Sequence, residues 1–153
     1  MTRVEDIVEI EAPKSTVWKV LTDSSYLPKL YPDVITVEVE PHGPLNVGSK
    51  AKILARLGKV RVEVYVEVTR ADSEYCFASR QSPGGLFSAF SQEVLLEGLV
   101  QRTKVKTVFE YTLVHEYAST ISQEEFLDSR VADNLKWYTR NLKELAELIP
   151  MPE

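Results

Sequence analysis

The sequence predicts an α+β fold in which a curved, seven-stranded antiparallel sheet wraps around a long C-terminal helix, with two short helices after strand 1. Two patterns support this prediction. From Val34 to Val114 apolar and polar residues alternate in short runs, and from Thr120 to Ile149 apolar residues recur every three or four positions. A chain of 153 residues has the length of one domain, so we expect a single domain over 1–153.

The N-terminal segment predicts a strand followed by two short helices. Apolar and charged residues alternate from Val4 to Glu11, with Asp6 and Ile7 out of pattern. Such alternation is typical of a strand with one solvent-exposed face. Pro13 follows, and proline suits a first helical turn because its missing N–H has no partner there. The predicted helical pieces cover residues 13–22 and 26–31, and Pro32 closes the second.

Six strands follow, separated by turns that contain glycine, proline or small polar residues. The clearest strand begins at Val60, where every second residue up to Val68 is valine. A tight turn at Gly58 and Lys59 precedes it, and the loop at 82–85 is the loosest. Because the turns are short, we expect antiparallel neighbours. The strands are predicted at residues 34–40, 48–57, 60–70, 74–81, 87–99 and 101–114, with a turn at 71–73.

The last segment predicts one long amphipathic helix. Its apolar stripe consists of Leu127, Val131, Leu135, Tyr138, Leu142, Leu145 and Ile149. Ser122 and Glu125 have the spacing of a capping box, and Pro150 ends the helix. Because a helix in water needs a packing partner, we expect this one to cover the apolar face of the sheet. Strong curvature of the sheet then leaves room for a pocket beneath the helix.

The composition excludes several classes of partner. The formal net charge is −5, so no basic excess is available for the phosphates of nucleic acid. No apolar run approaches the roughly 18 residues that span a bilayer, and the N-terminus lacks a signal-peptide core. Cys76 is the single cysteine, so no internal disulfide forms and a cytoplasmic location is expected. We expect a monomer or a homodimer.

No catalytic, metal or cofactor motif is recognisable, and we predict neither catalytic residues nor a metal or cofactor site. His42 lies in a proline–glycine turn and His115 at a strand end, and neither belongs to a metal-ligand motif. Cys76 sits in an apolar strand without an obvious base. The loop at 82–85 contains two glycines, but no helix begins after it, so a phosphate cradle is not expected there.

A resemblance to a known superfamily rests on two segments, IEAPKSTVWKVLTD at 10–23 and YPDV at 31–34. They resemble the first strand, Ala-Pro turn, Val-Trp helix and Pro-x-Val strand entry of the START-domain and polyketide cyclase-dehydrase (SRPBCC) superfamily. Its helix-grip fold is shared with the birch-pollen allergen proteins, and the order of elements matches over essentially the whole chain. Members include aromatic polyketide cyclases, coenzyme-Q-binding proteins, lipid carriers and stress-response proteins. The resemblance therefore implies a hydrophobic-ligand cavity that opens near the short helices and the strand loops.

Eight residues are candidate ligand contacts in such a cavity. Seven are aromatic residues that the predicted fold directs toward the gap between helix and sheet, and the plainer alternative is that they only fill the core. Arg80 would anchor a ligand if it pointed inward, although an outward position is expected because a buried arginine is costly unless paired. Arg56, Asn134 and Asn141 are ambiguous in the same way. The candidates are Tyr26, Tyr31, Arg80, Phe87, Phe90, Phe109, Tyr111 and Tyr138.

These observations favour the binding or transport of a hydrophobic small molecule such as a lipid, a quinone or a polyketide-like compound. One alternative is an enzyme of the cyclase, aromatase or dehydrase type, which needs an inward acid or base within hydrogen-bond reach. The candidates for that role are Tyr111, Tyr138 and Arg80. A further alternative is a protein-interaction module that uses the short-helix region or an edge strand, and an exposed apolar patch would favour it.

Overall fold

Seven strands form one antiparallel sheet, and a helix of 28 residues packs against it. The computed structural model describes residues 1–31, 33–57, 60–83 and 86–150. The elements are β1 (Thr2–Ile10), α1 (Lys14–Thr22), a 3-10 turn (Ser24–Tyr26), α2 (Leu27–Leu30), β2 (Val34–Glu40), β3 (Lys50–Leu57), β4 (Val60–Asp72), β5 (Cys76–Gln81), β6 (Phe87–Leu99), β7 (Arg102–Leu113), a second 3-10 turn (His115–Tyr117) and α3 (Ile121–Leu148). The predicted fold class is confirmed.

Three predicted features lie outside the described residues. They are the closing Pro32, the turn at Gly58 and Lys59, and the two glycines of the loop at 82–85.

The first strand pairs with the last one. β1 runs antiparallel to β7, with Val4 opposite Phe109 and Val8 opposite Val105. The order across the sheet is β1-β7-β6-β5-β4-β3-β2, so β1 and β2 are its two edges. Only α1 and α2 separate these strands in sequence, and both helices contact α3. The short helices therefore carry the chain from one edge of the sheet to the other, beside the long helix.

The face of the sheet that α3 covers is apolar, with a few polar exceptions. On β7, Val105, Phe109 and Tyr111 are buried, as the two-residue alternation predicts. β1 contributes one inward carboxylate, because Asp6 accepts a 2.7 Å hydrogen bond from the hydroxyl of Thr139 on α3. This contact accounts for the polar residue that breaks the alternation of the first strand.

The long helix begins with a capping box, but not with the predicted one. The Thr120 hydroxyl accepts from the Gln123 N–H at 3.1 Å, and the Gln123 side chain accepts from the Thr120 N–H at 3.3 Å. The prediction of Ser122 and Glu125 is therefore wrong, since Ser122 already lies inside the helix and Thr120 has the extended backbone that a cap requires. No helix among the described residues is long and apolar enough to cross a membrane.

The turn between β4 and β5 also differs from the sequence-based expectation. β4 continues through Asp72, because a bulge after Val68 lets Ala71 pair with Phe77. The turn therefore follows at 73–75, closed by the Tyr75 N–H on the Asp72 carbonyl at 2.9 Å. The predicted turn at 71–73 is placed two residues too early.

Helix α2 packs inward. Leu27 and Leu30 are buried, and the Asn141 side chain on α3 donates a 3.0 Å hydrogen bond to the Leu30 carbonyl at its end. This contact satisfies one of the carbonyls that a helix end leaves without an internal partner. The apolar residues of α2 therefore line the rim of the core instead of forming an exposed docking surface.

Candidate functional site

Six aromatic side chains form a continuous row beneath α3, which we call the aromatic row. Consecutive ring centroids lie 5.1 Å apart for Tyr31 and Tyr138, 6.4 Å for Tyr138 and Phe109, and 5.2 Å for Phe109 and Phe90. The row continues from Phe90 to Phe87 at 5.0 Å and from Phe87 to Tyr111 at 5.6 Å. These separations are typical of favourable aromatic pairs. All six residues belong to the predicted set.

Four parts of the chain supply the row. Phe109 and Tyr111 occupy alternate inward positions of β7, and Phe90 lies opposite Tyr111 on β6. Tyr138 projects from the buried stripe of α3, and Tyr31 directly follows the last residue of α2. The row therefore extends from the end of α2 across the inner face of the last two strands.

One end of the row carries a cluster of neutral hydrogen-bonding groups, Tyr31, Gln92 and Tyr138. The Tyr31 hydroxyl donates to the Gln92 side-chain oxygen at 2.9 Å. Burial raises the pKa of Tyr31 to about 12, although its hydrogen bond with Gln92 opposes the shift. Burial likewise raises the pKa of Tyr138 well above its usual range, and the Tyr31 phenol adds to this effect. Both phenols therefore keep their protons at neutral pH and can donate hydrogen bonds to an acceptor.

A narrow gap adjoins this cluster between α2 and the strands β3, β4 and β5. Its volume is about 20 Å³, which is close to the space that one water molecule needs. Gln92 lies opposite Ser79 across the β5–β6 pair, and Ser79 faces the gap. The lining is apolar apart from Tyr31 and two serines, and consists of Leu27, Tyr31, Leu45, Ser49, Ala51, Ile53, Val66, Val68, Phe77 and Ser79.

The other end of the row carries a phenol–carboxylate pair. The fully buried Tyr111 donates a 2.5 Å hydrogen bond to Asp128 on α3. Burial raises the pKa of Tyr111 most, followed by the hydrogen bond to Asp128 and the charges of Asp128 and Glu124. A charged carboxylate thus reaches the aromatic row from the first half of the long helix.

Two predicted site residues lie apart from the row. Arg80 is on the outer face of β5, with its side chain 64% exposed and its guanidinium 3.6 Å from Glu67. Its candidacy as an inward ligand anchor is therefore wrong, since solvent and a surface partner satisfy the charge. Tyr26 packs partly against the core and lies beneath the Lys29 ammonium, 5.8 Å from its ring centre, without joining the row.

Sequence analysis missed Gln92 and Asp128. Gln92 is the polar member of an otherwise apolar inward series that includes Phe90 and Val94, so its place in the alternation was a usable signal. Asp128 directly follows Leu127, a residue of the apolar stripe, but its pairing with Tyr111 depends on how α3 lies across β7.

Within the described ranges, no three His, Cys, Asp or Glu side chains are grouped as a metal site would require.

Solved structures share this architecture. The Zhui aromatase/cyclase from Streptomyces matches with a TM-score of 0.79 and 20% identity, covering 95% of this chain and 93% of that chain. The Thermus thermophilus protein TTHA0849 gives 0.78 and 17%, with 95% and 97% covered. Norcoclaurine synthase from Thalictrum flavum, in complex with dopamine and hydroxybenzaldehyde, gives 0.75 and 15%, with 99% and 89% covered. At such identities the likeness shows the fold alone.

The family is shown by the sequence. No curated protein matches the chain. The model of the family described as polyketide cyclase / dehydrase and lipid transport, however, matches residues 1–148. That range contains both segments, 10–23 and 31–34, on which the resemblance to this superfamily rests. The chain therefore belongs to the polyketide cyclase / dehydrase and lipid transport family.

Proposed function

We propose that the protein binds a neutral hydrophobic small molecule between α3 and the sheet, and that Tyr31, Gln92 and Tyr138 orient it. The observation that carries the proposal is the position of this cluster. Tyr31 belongs both to the aromatic row and to the lining of the apolar gap. Its hydroxyl, bonded to Gln92, therefore lies beside the apolar surface that would contact the body of a ligand and can bind a polar group of that ligand. A mostly apolar site with a few fixed polar groups is typical of small-molecule binding.

The chemistry of the cluster favours one class of ligand. Two protonated phenols and a carboxamide suit a carbonyl or hydroxyl group, because none of the three carries a charge that would attract an ion. The neighbouring rings of Phe109 and Phe90 offer stacking partners to a planar molecule. A quinone or a polyketide-like aromatic compound fits these features better than a saturated acyl chain.

Binding must enlarge the gap, because 20 Å³ is far below the several hundred Å³ of a typical ligand pocket. The part of the wall best suited to move is α2 with Tyr31. This helix has four residues and is held at its end by Asn141 and by the Tyr31 hydrogen bond to Gln92. Short segments with few such bonds open at lower free energy than core strands.

The test begins with native mass spectrometry of the purified protein and extraction of any bound compound. A panel of quinones, aromatic polyketides and fatty acids is then titrated. We expect Tyr31→Phe and Gln92→Leu each to weaken binding of the best ligand by roughly tenfold, because each removes one hydrogen bond. Tyr65→Phe is the matched control, since Tyr65 lies on the outer face and its hydroxyl donates to Glu63 at 3.1 Å. Unchanged affinity in both interior variants, or no binding across the panel, would refute the proposal.

A second candidate is a cyclase-type enzyme, favoured by the Tyr111–Asp128 pair at the far end of the row. In such a reaction a carboxylate removes a proton from a carbon between two carbonyls, and the enolate carbon attacks a ketone within the same molecule. The alkoxide that forms takes the proton back, while a phenol donates a hydrogen bond to that oxygen. Asp128 would be the base, and Tyr111 beside it would be the donor.

Incubation with a linear polyketone thioester distinguishes the two functions. If the protein is a cyclase, cyclised product appears faster than in buffer, and Asp128→Asn lowers the rate roughly a hundredfold or more. Glu125→Gln, at an exposed position of the same helix, is the control. Binding of the thioester without any rate above buffer supports a carrier.

A further inference from the structure

A groove on the outer side of α3 is separate from the interior gap. Its volume is about 380 Å³, which is within the range of small-molecule sites. The α3 residues that line it share one helix face, because both Asp133 and the adjacent Asn134 lie three or four positions from Arg130 and from Trp137, and Asn141 lies four beyond Trp137. Asp33, at the entry to β2, forms the opposite wall, and its carbonyl holds the Arg56 N–H at 2.8 Å. The lining residues are Asp33, Arg130, Asp133, Asn134, Trp137 and Asn141.

The indole of Trp137 is the largest apolar surface in this groove. It is 51% exposed, so the indole is not used to fill the core. The Arg140 guanidinium lies over the ring, 5.6 Å from its centre. Arg140 is not among the residues that line the groove, so it already supplies the cation that an indole attracts without filling the groove itself.

The polar side chains of the groove offer both donors and acceptors. Arg130 supplies only N–H donors, Asp33 and Asp133 supply only acceptors, and Asn134 supplies both. Within the described residues, none of the three charged side chains has an opposite charge within 4.0 Å. Two carboxylates disfavour an anion, and the guanidinium groups of Arg130 and Arg140 disfavour a cation.

We infer that this groove binds a neutral polyhydroxylated ring, such as a sugar, with its apolar face against Trp137. Hydroxyl groups both donate and accept, so they match a wall that mixes carboxylates, carboxamides and a guanidinium. The ring carbons of such a molecule present C–H groups that pack on an exposed indole.

The test uses methyl glycosides of glucose, galactose and mannose as probes. The protein has two tryptophans, so a proton–nitrogen correlation spectrum contains two indole N–H signals. We expect the Trp137 signal to shift saturably with at least one probe, with a Kd of about millimolar, while the Trp18 signal stays in place. Trp137→Ala should weaken binding roughly tenfold as measured by titration calorimetry.

Tyr75→Ala is the matched control, because Tyr75 is also an exposed aromatic residue with a guanidinium over its ring, that of Arg70 at 5.9 Å. It should leave binding of the glycosides unchanged. The inference is overturned if no glycoside shifts the Trp137 signal, if Tyr75→Ala weakens binding as much as Trp137→Ala, or if tetramethylammonium or sulfate binds more tightly than every glycoside.

The sugar can be free or attached to an aromatic compound held inside the protein, and phenyl glucoside separates these sources. If the sugar is attached, phenyl glucoside binds more tightly than methyl glucoside and Gln92→Leu removes the difference. If the sugar is free, the two probes bind alike in both proteins. Either result supports the groove. Only the attached-sugar result involves the interior site proposed above, and the methyl glycosides test the groove alone, so failure of the groove and failure of the interior site can be told apart.

Discussion

At the scale of single residues, the interior is organised around Gln92. This side chain is 6% exposed, and it stands at an inward position where its neighbours Phe90 and Val94 are apolar. Its oxygen accepts from Tyr31, and Ser79 lies opposite it across the strand pair. A buried carboxamide is tolerated because it is bonded, and it would cost free energy if its partner were lost.

We predict that Gln92→Leu lowers the free energy of unfolding by about 1–3 kcal/mol, because it leaves the Tyr31 hydroxyl without its acceptor. The double variant Tyr31→Phe with Gln92→Leu should recover most of this loss, since removing both partners leaves no unpaired group. Urea unfolding of the two single variants and the double variant measures the cycle. Strictly additive losses would contradict the pairing.

We predict that stability falls as the pH rises above about 10. The phenols of the unfolded chain ionise near pH 10, whereas the pKa of Tyr31 in the folded protein is about 12 and those of Tyr111 and Tyr138 are also raised by burial. Between these values the folded state binds more protons than the unfolded state, so the free energy of unfolding decreases with pH. Below about pH 10 these three phenols do not change the free energy of unfolding with pH.

Tyrosinate absorbance of the folded protein checks this directly. The chain has seven tyrosines. We expect Tyr31, Tyr111 and Tyr138 to ionise only as the protein unfolds, because burial raises their pKa values. Ionisation of these three near pH 10 in the folded protein would show that the interior phenols are solvated.

At the scale of elements, α3 fixes the geometry of the site. It carries Tyr138 into the aromatic row, Asp128 to Tyr111 and Asn141 to the end of α2. Its buried stripe packs against the sheet through Val131, Leu135 and Leu142. A shift of this helix along the sheet would therefore separate the contacts at both ends of the row together.

We predict that Thr120→Ala destabilises the protein by about 1 kcal/mol, because the Gln123 N–H loses the hydroxyl that caps it. Ser122→Ala is the control, since Ser122 is exposed and lies beyond the cap, and it should change stability by less than about 0.5 kcal/mol. Chemical denaturation compares the two. A larger loss in Ser122→Ala would restore the capping box inferred from sequence.

At the scale of the whole molecule, the sheet and α3 form the frame of the protein, and α2 is the shortest of the three α-helices in the described residues. Strand β7 is hydrogen-bonded along its length to β6 on one side and to β1 on the other. Helix α2, by contrast, has four residues and lies in the connection between the two edge strands. The gap beside Tyr31 has a volume of about 20 Å³. If the proposed ligand binds there, we expect the frame to open at α2 while the long strands stay paired.

We predict that a ligand found in the binding screen stabilises the protein by about 2.7 kcal/mol at a hundredfold excess over its Kd. In hydrogen exchange, the amides of α2 and Tyr31 should exchange faster than those of β6 and β7 without ligand, and slow most when it is added. Uniform slowing across all elements would instead indicate that the ligand opposes global unfolding only.

Much of the fold was predictable because the patterns that encode it are local. The alternation over 34–114 and the stripe over 120–149 report which face of each element is apolar, and the turns between strands are short enough to dictate antiparallel neighbours. The aromatic candidates were predictable for the same reason, since Phe90, Phe109 and Tyr111 hold inward positions. Family membership followed from the segments near the N-terminus.

By itself, then, the sequence determined the order of elements, the apolar face of each and the family. Only the tertiary structure decided that β1 pairs with β7, that Arg80 points outward, that Gln92 meets Tyr31, and that the interior gap is as small as 20 Å³. The physical reason is that periodicity reflects neighbours along the chain, whereas these features depend on register and volume between residues far apart in sequence. In β5 the alternation does not show which face is inward, because the consecutive residues Cys76 and Phe77 are both buried. The side of the sheet on which Arg80 lies is instead set by its pairing with Glu67 on β4.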